Sequence, residues 1–303
     1  MLNSAARRFS DVVIVAAKRT PIGSFMGALK DQHASSLGTV AITAAMDQCG
    51  LDPNHVDEVF LGNVLQAGGK QAPTRQAALN AGLPEKVECT TINKVCASGL
   101  KSAIFGAQTI KLGDNDVVVA GGFESMSQSP FYLLKQRGGV QLGDAPCVDA
   151  IMYDGLTCAF DKTAMGICSE HTIEKNGITR EDQDNYAIES YRRAAAAWDR
   201  GYFQSEIAPV TIKNKKGDIE FTTDEDYTKV KLDKIPQLRS VFKKDGTITA
   251  ANASMINDGA SCVILMSSDK ARDLNIKPLA KIIAYGDGAC SPTHFGEAPY
   301  FAV

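Results

Sequence analysis

The stretch Thr91-Ile92-Asn93-Lys94-Val95-Cys96-Ala97-Ser98-Gly99-Leu100 reads as a turn handing over to a helix. Leu100, Ile104, Ala107 and Ile110 then recur at helical spacing, which predicts a helix over Ala97 to Leu112 with Cys96 at its start. The unpaired amides and the positive dipole end of a helix N-terminus favour a thiolate, the nucleophilic form of the side chain. The alternative for the same residue is a structural cysteine packed as a small hydrophobe.

Working outward, Val12 to Ala17 is an apolar, β-branched run closed by Thr20-Pro21-Ile22-Gly23, a buried first strand. Leu37 to Cys49 has helical spacing before Gly50, Val59 to Leu65 reads as strand, and Asp116 to Gly121 as a second buried strand. This alternation predicts an α/β domain with a mostly parallel sheet. From Met126 the character changes to charged helices and polar loops, which marks residues 126–246 as an insertion. Its clearest helix runs from Ile178 to Gly201, opened by a capping box at Thr179 to Asp182. The α/β pattern returns over 247–270, with Cys262 to Met266 as a buried strand, so residues 11–125 and 247–270 form one domain.

Composition bounds the partners. Among 303 residues, 32 basic side chains stand against 35 acidic ones for a net charge of -3, which gives no reason to expect nucleic acid. The apolar runs are too short to span a bilayer, so no membrane partner is expected. Eight cysteines without a Cys-x-x-Cys pair or a Cys/His cluster argue for reduced thiols and against a structural metal. Residues 1–10 carry two arginines, two serines and no acid, the composition of a short targeting segment. Neither Gly121-Gly122 nor Gly259 belongs to a Gly-x-x-x-x-Gly-Lys or Gly-x-Gly-x-x-Gly string, so close backbone approach explains them better than phosphate binding.

Asn93 to Leu100 resembles the nucleophile segment of the thiolases, which make or cleave the carbon-carbon bond of a 3-ketoacyl-CoA by acyl transfer through a cysteine. The resemblance continues in family order through Val12 to Gly23, Gly62-Asn63-Val64-Leu65-Gln66, Gln71 to Gln76, Gly121-Gly122-Phe123-Glu124-Ser125-Met126-Ser127 and Ala250 to Ala260. It is greatest to the biosynthetic, acetoacetyl-CoA branch. It implies a thiolase-like α/β fold with residues 126–246 as a CoA-binding loop domain, and Cys96 as the acyl acceptor. It further implies acetyl-CoA, acetoacetyl-CoA and CoA as ligands, a dimeric or tetrameric homo-oligomer, and the mitochondrial matrix as the compartment, with the cytoplasm as the alternative.

By position in the family motifs, the resemblance assigns CoA contacts to Tyr191, Lys229, Val230, Lys231, Lys234 and Ser254. Lysines suit so anionic a ligand. The chain has Lys229-Val230-Lys231 where relatives have Arg-Val-Asp, and Ala164 where many have histidine, beside Met165 as an apolar wall. Potassium is implied by the resemblance alone, held by the Tyr191 phenol and the carbonyls of Ala250, Ala251 and Ala253. Hard oxygen donors fit such a cation.

Residues 275–303 resemble the start of the family's second α/β half. The Asn-Glu-Ala-Phe, Gly-His-Pro and Cys-x-Gly strings with which thiolases move protons do not occur among the 303 residues. Such groups act as a unit. The expectation is therefore an acetyl-CoA C-acetyltransferase sequence, truncated in its second half, that is inactive as it stands. The alternatives are a longer-chain 3-ketoacyl-CoA thiolase and a non-catalytic subunit that docks with full-length thiolase.

Overall fold

β-branched runs and helical amphipathic segments sort onto one sheet and its two faces. The computed structural model describes residues 10–139 and 142–303; apart from Ser10, the expected targeting segment lies outside them. By internal contacts the described chain divides into two compact units, one of residues 10–128, 205–223 and 257–284, the other of 129–139, 142–204, 224–256 and 285–303.

The first unit contains β1 (Val12–Arg19), α1 (Ala34–Cys49), β2 (Glu58–Gly62), α2 (Pro73–Asn80), β3 (Glu88–Ile92), α3 (Ser98–Leu112), β4 (Val117–Ser125) and β5 (Asn257–Ser267). The sheet order is β1-β5-β4-β2-β3, with Ala280–Lys281 outside β1 and Gly23–Ser24 pairing with β5. Alternation along the strands divides the core. Val117, Val119, Ile264 and Met266 face one cluster with Leu37, Ile42 and Ala77 of α1 and α2, whereas Val118, Ala120 and Leu265 face a second with Ala107 and Ile110 of α3. Burial on both faces explains why these strands read as continuous apolar runs. Each fully buried aliphatic side chain contributes about 1.5–3 kcal/mol relative to exposure.

The expectation of a mostly parallel sheet is corrected. β2 pairs in parallel with β3 and β4, but β5 enters between β1 and β4 antiparallel to both, and the two short edge pairings are antiparallel as well. β5 follows the inserted residues in sequence, so no short crossover dictates its direction.

The second unit holds α4 (Met165–Lys175) and α5 (Arg180–Asp199), with a small hairpin of Phe131–Leu133 and Cys147–Asp149. The capping box at the start of α5 is formed: Asp182 N–H donates to Thr179 Oγ1 at 3.1 Å, and Thr179 N–H donates to Asp182 Oδ2 at 2.9 Å. No helix among the described residues is long and apolar enough to cross a membrane.

Candidate active site

Cys96 stands two residues ahead of α3 and is exposed. The turn that presents it is closed by side chains. Asn93 Oδ1 accepts from Val95 N–H at 2.9 Å, and Ser98 Oγ accepts from Lys94 N–H at 2.8 Å while lying 2.5 Å from the Val95 carbonyl. Val95 has φ of +49°, a left-handed conformation that a β-branched residue adopts only where its surroundings force it. The strained residue sits immediately before the exposed thiol.

Glycines let α3 approach the strands that support this turn. A Cβ on Gly62, at the end of β2, would meet Gly99 N and Ser98 C at 2.5 Å. A Cβ on Gly121 would meet Ser261 O at 2.0 Å, so the close backbone approach expected at Gly121-Gly122 is present. Beyond Gly122, Glu124 accepts from Val64 N–H at 2.9 Å, Leu65 N–H at 3.2 Å and Asn63 Nδ2 at 2.6 Å. Burial pushes the Glu124 carboxyl above the usual glutamate range, and these three donors pull against it. The family-like segments 62–66 and 121–127 are thus one structural device.

The other sequence-predicted residues all lie in the second unit. Tyr191 is half-buried on α5, and burial followed by the nearby Asp226 carboxylate raises its phenol above the ordinary tyrosine range. Lys229 ends a short helix (Asp226–Lys229), with its Nζ 3.4 Å from Glu225 Oε1. That helix is anchored to α5 by Tyr227, whose ring lies parallel to Trp198 at 6.1 Å between centroids. Val230 is half-buried, whereas Lys231, Lys234 and Ser254 are exposed. Lys234 Nζ lies 3.7 Å from Asp233 Oδ2, within a 3₁₀ segment (Leu232–Gln237).

Thr249 organises the Ala250–Ser254 turn: its Oγ1 accepts from Ala251 N–H and Asn252 N–H, both at 3.3 Å. The carbonyl oxygens of Ala250, Ala251 and Ala253 accept no hydrogen bond among the described residues. Neutral oxygens with unused lone pairs are the donor chemistry a potassium ion takes. No group of three or more His, Cys, Asp or Glu that could hold a metal occurs among the described residues.

Sequence reasoning passed over the supports of this turn. Glu170, 4% exposed on α4, accepts from Thr247 N–H at 2.8 Å, Thr247 Oγ1 at 2.9 Å and Ile248 N–H at 2.9 Å. Arg180 and Asp184 pair on α5, a spacing of four residues that was readable as a helical ion pair. Arg180 also lines an open cavity of about 550 Å³ with Arg239, Lys243, Lys244 and Asp245, of which Arg180 and Lys243 are paired with Asp184 and Glu174. Ala164 occupies the N-cap position of α4 without a side-chain hydrogen bond, and the adjoining Met165 is half-buried.

A family model described as thiolase, N-terminal domain, matches residues 12–269. The chain is 50% identical over 296 residues to the mitochondrial acetyl-CoA acetyltransferase of Rattus norvegicus, covering 97% of this chain and 69% of that one. It is 50% identical over 294 residues to a cytosolic acetyl-CoA acetyltransferase of Gibberella zeae, covering 96% and 74% respectively. The crystal structure of Acat5 thiolase from Ascaris suum in complex with coenzyme A superposes with a TM-score of 0.88 at 42% identity, covering 93% of this chain and 72% of that chain.

Proposed function

The chain belongs to the thiolase family, and from that footing we propose that it is an acetyl-CoA C-acetyltransferase, acting in the reversible condensation of two acetyl-CoA to acetoacetyl-CoA and CoA. The observation that carries the reading is the exposed Cys96 on a turn strained at Val95 and locked by Asn93 and Ser98. In the first half-reaction the Cys96 thiolate attacks the acetyl thioester carbonyl; the new carbon-sulfur bond forms as CoA leaves with its thiolate. In the second, a proton passes from the methyl carbon of another acetyl-CoA to a general base, the role the family gives to the cysteine of its Cys-x-Gly string. The resulting carbanion attacks the acyl-cysteine, forming the carbon-carbon bond and releasing the Cys96 thiolate.

CoA binding is assigned to Tyr191, Lys229, Val230, Lys231, Lys234 and Ser254, supported by their positions in the family motifs and their grouping in one unit. Tyr191, Ala250, Ala251 and Ala253 would hold K+, whose contribution when bound is positive charge beside the anionic ligand. We assign the protein to the mitochondrial matrix on the strength of its mitochondrial relatives, with the cytoplasm as the alternative that a cytosolic relative supports; a homo-oligomer follows from the family resemblance alone. By the domain reading, residues 11–125 and 247–270 are the catalytic α/β domain, 126–246 the loop domain and 275–303 the start of a second half. The 303 residues by themselves are proposed to be inactive in condensation, because the family's Gly-His-Pro and Cys-x-Gly proton-transfer strings do not occur among them.

Incubation with acetyl-CoA followed by peptide mass mapping tests the assignment. One acetyl group on Cys96, absent in Cys96→Ala, is expected. Acetylation elsewhere, or none in a folded chain that binds CoA, would refute Cys96 as nucleophile.

A further inference from the structure

Segments that are distant in sequence meet in the second unit at one ion pair, its carboxylate buried and its guanidinium partly exposed. Arg180 Nε lies 2.7 Å from Asp184 Oδ2, one helical turn along α5, and Asp184 is 4% exposed. The second carboxylate oxygen, Oδ1, accepts from Asn252 Nδ2 at 2.9 Å. The far end of the guanidinium donates to the Ile235 and Leu238 carbonyls at 3.2 and 2.9 Å, gripping the end of the segment that carries Lys234. Asn252 in turn accepts from Thr249 N–H at 2.7 Å and donates to the Thr247 carbonyl at 3.1 Å, bracing the turn that carries Ala250, Ala251, Ala253 and Ser254. Tyr191 lies seven residues beyond Asp184, on the same face of α5.

We propose that Arg180, Asp184 and Asn252 form a positioning network that sets the geometry of the CoA site, holding the Lys234 segment and the Ala250–Ser254 turn in register with Tyr191. The inference rests on the reading of these segments as the CoA site. None of the three is a CoA contact in that reading; their effect is exerted through the segments they join. A buried carboxylate with a guanidinium on one oxygen and an amide on the other has its charge matched and its hydrogen bonds directed. Removing Arg180 or Asn252 leaves one oxygen of the buried Asp184 carboxylate without its partner, so the geometry is strongly specified. Glu170 holds Thr247 and Ile248 separately, so loss of the Asn252 link releases the turn while its entry remains anchored.

The experiment uses the whole 303-residue chain and the variants Asn252→Asp, Asp184→Asn and their combination. Asn252→Asp keeps the acceptor for Thr249 N–H but sets a carboxylate against that of Asp184. Asp184→Asn removes the charge that Arg180 pairs with. CoA affinity is read by calorimetry, and acetylation of Cys96 is read with a short thioester lacking the nucleotide. Each single variant is expected to bind CoA about tenfold more weakly, a change typical of one coupled link, while short-thioester acetylation stays within about twofold. The double variant restores a donor facing an acceptor at positions 184 and 252 and is expected to recover part of the loss. Unchanged CoA affinity in both folded single variants would overturn the proposal, as would a parallel fall in short-thioester acetylation or a double variant no better than its parents. A wild-type chain that binds no CoA would instead overturn the CoA reading. The network is then judged by amide exchange over residues 232–238 and 247–254: faster exchange in the variants supports it, and unchanged exchange refutes it.

Discussion

Ser102 Oγ lies 2.7 Å from the carbonyl oxygen of Gly121 and 2.9 Å from its amide nitrogen, tying the nucleophile helix to the central strand β4. Ser102 is fully buried, and its hydroxyl also reaches Gly99 O at 2.6 Å, so the one group serves a helix carbonyl and a strand amide together. Ser102→Ala removes the partner of a buried amide, a loss of about 1–3 kcal/mol. Urea unfolding of the two proteins measures it; a variant as stable as its parent would show that the contact contributes nothing.

The contact between Gly62 and the start of α3 predicts a different failure. Gly62→Ala forces a methyl group to within 2.5 Å of backbone atoms of Ser98 and Gly99, which cannot rotate away as a side chain could. Overpacking of this kind costs about 1–3 kcal/mol. Because the displaced atoms support the turn carrying Cys96, the iodoacetamide reaction rate at Cys96 is expected to change as well. Gly138→Ala, where an added Cβ meets nothing within 4 Å, is the control and is expected to alter neither quantity.

Thiol chemistry separates the cysteines by environment. Cys96 and Cys147 are exposed, whereas burial raises the Cys49 and Cys89 thiols and pushes Cys262 far above the ordinary range. Brief alkylation of the folded chain at neutral pH is expected to label Cys96 and Cys147, and Cys96→Ser to leave Cys147 alone. Label on Cys262 before unfolding would contradict the packing of β5.

Strand and helix identities were legible because apolar alternation and helical spacing are local. Leu100, Ile104, Ala107 and Ile110 marked α3 to within a residue of its observed start at Ser98. Leu100 is 71% exposed nonetheless, since spacing reports which residues share a face and not what covers it. The direction of β5 was hidden, because its partners β1 and β4 lie more than a hundred residues earlier and nothing local encodes antiparallel pairing across that separation. The place of Cys96 ahead of a helix was legible, whereas its reading as nucleophile rests on the family resemblance. The link between Asp184 and Asn252 was not legible, because a carboxylate on a polar helix and an amide in a turn look solvated until the fold buries one against the other.

Tyr132 supplies the pH prediction. Its hydroxyl donates to Asp154 Oδ2 at 2.5 Å; burial first, and then that hydrogen bond and the Asp154 charge, raise the phenol from 10.0 to about 12. Phenolate formation would set two negative oxygens side by side, so the folded state retains the proton longer than the unfolded one. Below the unfolded value near 10 both states are protonated and the stabilisation is fully present; it is lost as pH rises through about 12. In an alkaline titration Tyr132 should be among the tyrosines that form phenolate late, with Tyr191 and Tyr227, and its share of the late component should be missing in Tyr132→Phe and shifted toward 10 in Asp154→Asn. Alkaline unfolding of the wild type should converge on that of Tyr132→Phe across the same interval. Phenolate formation by Tyr132 near 10 while the chain is folded would show that Asp154 does not hold it.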